Sequence, residues 1–457
     1  MKKKLVLVMV ALAFCSIVLV VIGSGRDETL DPAVKEVLAM RLPEVAPEDN
    51  AYVGLSGLGH IRDGDVVTAG KKFLSADLQV QADSVQEQDF EFSYRNPCLE
   101  SHDGNEGCLD QIAADASTLK ADVEKNQKII ERYHIVQKMP FFVCTSSNFM
   151  DRVPQYQVVL SASKLIGAQA LLDIKQGDLS AGLAAIETDL NFYKRMGQSE
   201  HGDLISLMIA MAAIRSNLIE ISKVIEDGQI DLAGQEDRLR KMLDLNFSPG
   251  SIMTTALKTE KWRALQGFDQ LADSMLGESS DLKDKRDLFL FKRNMTINQV
   301  AAQYDEVIKR VQAAPTLGFP GFLVRDTAEF MEKESSGETS LSIRELYGKY
   351  GVFFFKNRTG EIFLNIAQPY YMKYLGRIHD TVVYSRLVRA QLELRIMADR
   401  PGDIPAVLAE LGPETWNPYT GKPFDWDSEQ KCLWAGIGGK LEKESSDWRI
   451  IAVVPGV

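Results

Sequence analysis

Histidine and cysteine are scarce, at five each in 457 residues, and neither is grouped as a metal site demands. No C-x-x-C pair occurs, and the cysteine spacing fits no usual zinc finger. Glu131-Arg-Tyr-His134 is a lone E-x-x-H, whereas a di-iron bundle needs a second such pair from another helix. No metal and no cofactor are expected. Basic charge is also short: 52 Lys and Arg face 64 Asp and Glu, for a net charge of −12. Phosphate binding needs a basic face, so nucleic acid is not an expected partner. Nor does the body suit a grip on anionic lipid.

Catalytic motifs are missing as well. Gly436-Ile-Gly-Gly-Lys440 has the wrong spacing for a phosphate loop, and Gly54-Leu-Ser-Gly-Leu-Gly59 is not G-x-S-x-G. Asp425-Trp-Asp427 is a D-x-D without the alternating strands and helices that a nucleotide-sugar site needs. A site assembled from scattered residues leaves no such trace, so an envelope hydrolase or other enzyme with a dispersed site stays as an alternative. Long polar segments of low hydrophobicity are absent too. With 45% hydrophobic residues, the composition is that of a folded protein.

What the chain does carry begins at its amino terminus. Lys2, Lys3 and Lys4 precede an uncharged run from Leu5 to Gly23, and charge returns at Arg26. Such a helix reaches about 27 Å, close to one bilayer core. The flanking lysines keep the tail in the cytoplasm and export the body of the protein. The run is longer than the core of a signal peptide, which favours a single-pass anchor. Gly23-Ser24-Gly25 keeps a cleaved, periplasmic form as the runner-up.

An exported body permits disulfides, and four cysteines lie beyond the anchor: Cys98, Cys108, Cys144 and Cys432. Cys98 and Cys108 bracket a loop of turn formers, and a bridge there adds about 2 to 3 kcal/mol by loop entropy. Cys144 and Cys432 are then left to pair or stay free.

Periodicity makes the chain mainly α, a helical-hairpin bundle or short solenoid-like body with a small C-terminal α+β cap. We divide it into an anchor (1–25), an irregular or helical region with the disulfide loop (26–107), a helical body (108–400) and a strand-containing cap (401–457). Asp31-Pro32 opens a short helix, and 42–64 reads as loop around an apolar patch at Tyr52–Leu58. From Cys108 the pattern turns helical as far as Pro140. Two helices then flank Gly177-Asp178 as an antiparallel hairpin. It resembles one tetratricopeptide unit, but the 34-residue period does not recur. Leu204 to Ile214 is apolar on nearly every side and too short to span a bilayer, so it reads as a helix buried all round, continuing to Ile225. Further helices start after Pro249, run through Ile297–Val311, and start again after Pro369. The apolar stretches 314–324 and 351–355 read as loops on the core. Asn417-Pro-Tyr-Thr-Gly-Lys-Pro423 is a strong turn, with two or three antiparallel strands around and after it.

Three stretches carry a resemblance: Asn105-Glu-Gly-Cys108 opening a helix that reads Ile129-Ile-Glu-Arg-Tyr133; Phe353-Phe-Phe with Asn357 and Asn365; and Asn417-Pro-Tyr-Thr-Gly-Lys-Pro423. In this order they resemble a family of uncharacterised, membrane-anchored envelope proteins of Gram-negative bacteria. That likeness implies an inner-membrane tether with a periplasmic body, and it carries over no catalytic residue. The closing helix, turn and strands also look like the end of a type II secretion pseudopilin. The amino terminus lacks a pilin's processing site and the Glu after it, which argues against a filament role.

The expectation is a membrane-tethered periplasmic interaction or assembly factor, with a protein partner in the envelope. A phosphatase reporter that works only outside the cytoplasm, fused after Val457, is expected to be active. A fusion active only with a cytosolic reporter would reverse the assigned topology.

Overall fold

The computed structural model describes residues 27–60, 64–75, 92–100, 107–147, 151–278, 292–313, 371–397, 403–436 and 449–453. The anchor, the apolar stretches 314–324 and 351–355, and residues 437–440 lie outside them. Among the described residues the fold is mainly helical with a small C-terminal antiparallel sheet, as the periodicity predicts.

The central element is the helical hairpin made by α8 (Tyr156–Lys175) and α9 (Leu179–Gly197). Gly177 supplies the left-handed turn at φ +101°, a conformation costly to a residue with a Cβ. Asp178 then caps α9 by accepting the Ala181 N–H at 3.0 Å. Against this hairpin packs α10 (Leu204–Glu226), capped by Asp203, whose carboxylate accepts the Ser206 N–H at 2.7 Å. Its buried residues include Leu207, Ala210, Ile214, Leu218, Ile221 and Ile225. At about 1.5 to 3 kcal/mol for each large apolar side chain, this helix is a main source of core stability.

The helix before the hairpin is shorter and more broken than periodicity suggests. Residues 108–137 form α5 (Cys108–Ala114), α6 (Ala116–Lys125) and α7 (Gln127–Gln137), interrupted at Asp115 and Asn126. Upstream lie α1 (Pro32–Ala39), α2 (Ala51–Gly57), α3 (Val66–Ser75) and the single turn α4 (Pro97–Glu100). Downstream, α11 (Glu236–Leu243), α12 (Pro249–Glu278) and α13 (Arg293–Ala313) precede α14 (Tyr371–Ile396) and α15 (Ile404–Glu410). Helix α14 packs on α10, α11 and the sheet. Arg240 of α11 grips Glu393 of α14 through two N–H donors at 2.9 and 2.8 Å, and Arg389 donates to the same carboxylate at 2.7 Å.

The sheet has the order β1 (Asp425–Asp427), β2 (Cys432–Gly436) and β3 (Arg449–Val453), antiparallel throughout. The Asn417 turn pins this cap. The Asn417 side chain accepts the Tyr419 N–H at 2.9 Å, and the Tyr419 hydroxyl donates to Asp380 of α14 at 2.5 Å.

One expectation is corrected. The Tyr52–Leu58 patch, read as lying in a loop, is helix α2, and every residue of it is buried. Its glycines hid it from periodicity: Gly57 and Gly70 let α2 and α3 cross backbone to backbone. A Cβ on Gly57 would sit 1.9 Å from the Val66 carbonyl oxygen, and one on Gly70 2.0 Å from that of Val53. The apolar run at Leu204 opens, as expected, a longer helix buried in the fold, Leu204–Glu226. Among the described residues, α8 and α10 are long and apolar enough to cross a membrane, and 61% of the apolar window of each is buried inside the fold.

Gly57→Ala is expected to destabilise the protein by about 3 kcal/mol, since backbone cannot yield as a side chain can. Equilibrium urea denaturation reads the change.

Candidate functional site

A cleft of about 620 Å³ opens beside the first turns of the fold. One wall is the stretch Met40–Val45, which leaves α1 without helical pairing. It is tied to α12 by the Trp262 indole N–H on the Met40 carbonyl (3.2 Å) and by the Gln266 amide on the Leu38 carbonyl (2.7 Å). The opposite wall is Val143–Thr145, an extended segment fixed by Asn50. The Asn50 side chain accepts the Val143 N–H (3.0 Å) and donates to the Val143 carbonyl (2.9 Å), so one amide does the work of a strand's backbone. Phe141 exchanges backbone bonds with Asp49 and Ala51 just before it. Met40 and Phe141 remain 56% and 52% exposed, large apolar groups facing solvent in this region.

Beneath the cleft lies a buried polar cluster. Arg263, one residue after Trp262, donates to Asp203 Oδ2 at 2.7 Å and to Ser146 Oγ at 2.8 Å. Only 3% of the Arg263 side chain and none of Asp203 is exposed. Cys144 Sγ lies 3.7 Å from Asp203 Oδ2, and the Tyr156 and Ser206 hydroxyls share a bond of 2.6 Å. Burial first, and the Asp203 charge second, push the Cys144 thiol up to about 12. Burial works against the Arg263 cation too, but the surrounding acidic groups outweigh it and hold the guanidinium charged. The group at neutral pH is therefore an ion pair beside a protonated thiol. A thiolate nucleophile is not what this setting favours.

A second buried cluster sits deeper, where α7, α8, α9 and α10 meet. Asp189 accepts from the Tyr133 hydroxyl (2.6 Å), the Gln137 amide (2.8 Å), the Ser163 hydroxyl (2.6 Å) and the Asn217 amide (3.0 Å). Burial raises its carboxyl, and these four neutral donors work the other way. Close by, Glu220 of α10 is buried and accepts from the Asn96 amide at 3.0 Å. Burial raises its carboxyl well above the ordinary range, and the Asp189 charge adds to this.

The cysteines separate into two kinds. Cys98 and Cys108 are bonded to each other, with Cα atoms 5.2 Å apart. Cys144 and Cys432 are both buried and lie outside that bridge: one lies in the Arg263 cluster, and the other lies on β2 near Gln430. Glu131 and His134 stay on an exposed face of α7, where His134 contacts Gln137 at 2.9 Å. Asp427 accepts the Glu429 and Gln430 N–H groups and so shapes the hairpin turn. His379 stacks on Tyr419 with ring centroids 6.3 Å apart, and burial pushes it down to about 4. Among the described residues no group of three or more His, Cys, Asp or Glu is placed to hold a metal ion.

Asp203 and Arg263 escaped the sequence reading. Asp203 did carry a signal, as an acceptor residue directly before an apolar helical run. Arg263 carried none, because a cation on a long helix reads as solvated. Comparison with protein families, with curated proteins and with solved structures returned no match.

Arg263→Met is expected to cost about 3 to 5 kcal/mol, since it strands a buried carboxylate. Pairing it with Asp203→Leu is expected to recover most of that loss. A double-mutant cycle by urea denaturation measures both.

Proposed function

We propose that this chain is a membrane-tethered periplasmic interaction or assembly factor of a Gram-negative envelope, and that its cleft receives a protein partner. The observation that carries the reading is the cleft itself. It is lined by Met40, Pro43, Val45 and Trp262 together with the exposed Arg41 and Glu44, and Met40 is largely uncovered. Aromatic and Met side chains around an open groove are the usual anchors of a protein contact. The polar groups below, by contrast, are buried in bonds to one another.

Support for the tether comes from the three lysines and the apolar run at the amino terminus, and from the resemblance to anchored envelope proteins. The Cys98–Cys108 bridge suits an oxidising compartment. The enzymatic alternative draws on Cys144, a potential nucleophile at the cleft, and its protonated state weakens that reading.

A photo-reactive residue replacing Met40 in cells is expected to yield one discrete heavier adduct with an envelope protein. The same probe replacing Ile396, also exposed, is expected to yield none. Equal labelling at both positions, or none at Met40, would overturn the cleft as the partner site.

A further inference from the structure

Unlike Asp189 with its four donors, Glu220 is a buried acid that a single neutral side chain serves. It sits in the middle of α10, 2% exposed, and among the described residues its hydrogen-bond partner is the Asn96 amide alone. Space for it is made by Gly167 of α8, where a Cβ would lie 2.1 Å from Glu220 Oε1. The charged groups that bear on it are Asp189 from α9, which disfavours a second negative charge, and Lys164 from α8, which favours one.

Asn96 belongs to residues 92–100, a segment with little regular structure of its own. Phe92 and Tyr94 pack on the core, the turn α4 lies against α10, and two polar ties fix the segment further. At one end, Asp122 of α6 accepts the Ser93 hydroxyl (3.0 Å) and the Tyr94 N–H (3.0 Å). At the other, Asn96 bonds Glu220, and its side-chain oxygen turns back to accept the Cys98 N–H at 3.1 Å. The disulfide then ties Cys98 to the start of α5. The segment thus crosses from α6 to α10.

We infer that residues 92–100 are a pH-responsive strap, latched onto α10 through the Asn96–Glu220 bond and released when that buried carboxyl ionises. The Asn96 amide donates to this carboxyl and so favours its charge, but burial and Asp189 oppose that charge more strongly, and a carboxylate recovers its hydration when the strap lifts. Linkage fixes the direction. The closed strap binds the proton more tightly than the open one does, so the latch is fully stable below the ordinary carboxylate value. Its stability is lost as pH rises towards the raised value in the closed state. The disulfide keeps the lifted strap attached, so release is reversible.

Arg95 supplies the readout, being exposed while Asn96 beside it is buried. Trypsin can cut the Arg95–Asn96 bond only when the strap opens. Between about pH 6 and 9, the cutting rate of the full-length protein, divided by that of Glu220→Gln at the same pH, is expected to rise by about tenfold. Glu220→Gln keeps the shape without the charge and is expected to stay slowly cut throughout. Asn96→Ala removes the latch and is expected to be cut fast at every pH. A wild-type to Glu220→Gln ratio that stays flat with pH would overturn the proposal. So would slow, pH-dependent cutting of Asn96→Ala. If Glu220→Gln does not fold, the decision rests on Asn96→Ala against wild type: equal rates and equal pH dependence for the two overturn the latch.

Discussion

Helix α10 is apolar almost all round, and such a helix must be enclosed. Its few polar side chains are what decide by which elements. Asp203 at its cap takes Arg263 from α12, and Ser206 takes Tyr156 from α8. Asn217 takes Asp189 from α9, Glu220 takes Asn96 from the 92–100 segment, and Ser222 takes Gln391 from α14 at 2.8 Å. Five polar groups, spaced along one helix, each draw a different neighbour. Apolar burial supplies most of the free energy, but it is non-directional. The polar bonds set which face meets which partner, because each would be an unsatisfied buried group in any other arrangement.

This division explains what was legible in the amino-acid sequence. The hairpin around Gly177, the buried helix after Asp203, the helices after Pro249 and Pro369, and the strands beyond Asn417 all announce themselves by local signals: a turn glycine, a cap, a proline or alternation. Helix α2 did not, because its glycines and its burial on every face erase the amphipathic pattern. Short α11 and α15 were likewise too brief to show a period. The polar clusters were invisible for a different reason. Ser146, Asp203 and Arg263 are far apart in the chain, and nothing local marks them as neighbours. The Cys98–Cys108 bridge was legible because only ten positions separate its ends.

The same contrast bears on function. Most ionisable groups with displaced behaviour lie inside the molecule, answering to architecture and not to solvent. Asp189 has four donors, and the Arg263–Asp203 pair is sealed beneath the cleft. What faces outward in that region is the apolar Met40 and Phe141, extended backbone, and the charged Arg41 and Glu44. The surface therefore has the chemistry of contact, and the interior has the chemistry of alignment.

The reach of α10's bonds also sets an order of assembly. Ser222 waits for Gln391, 169 positions later in the chain, and Arg240 waits for Glu393, 153 later. Until α14 has been synthesised, the most hydrophobic helix of the body lacks one of its walls. Long-range closure of this kind is slow and leaves sticky surface uncovered in the meantime. The nascent chain thus stays aggregation-prone until Gln391 and Glu393 have emerged, and a chaperone holding it would have to stay until then.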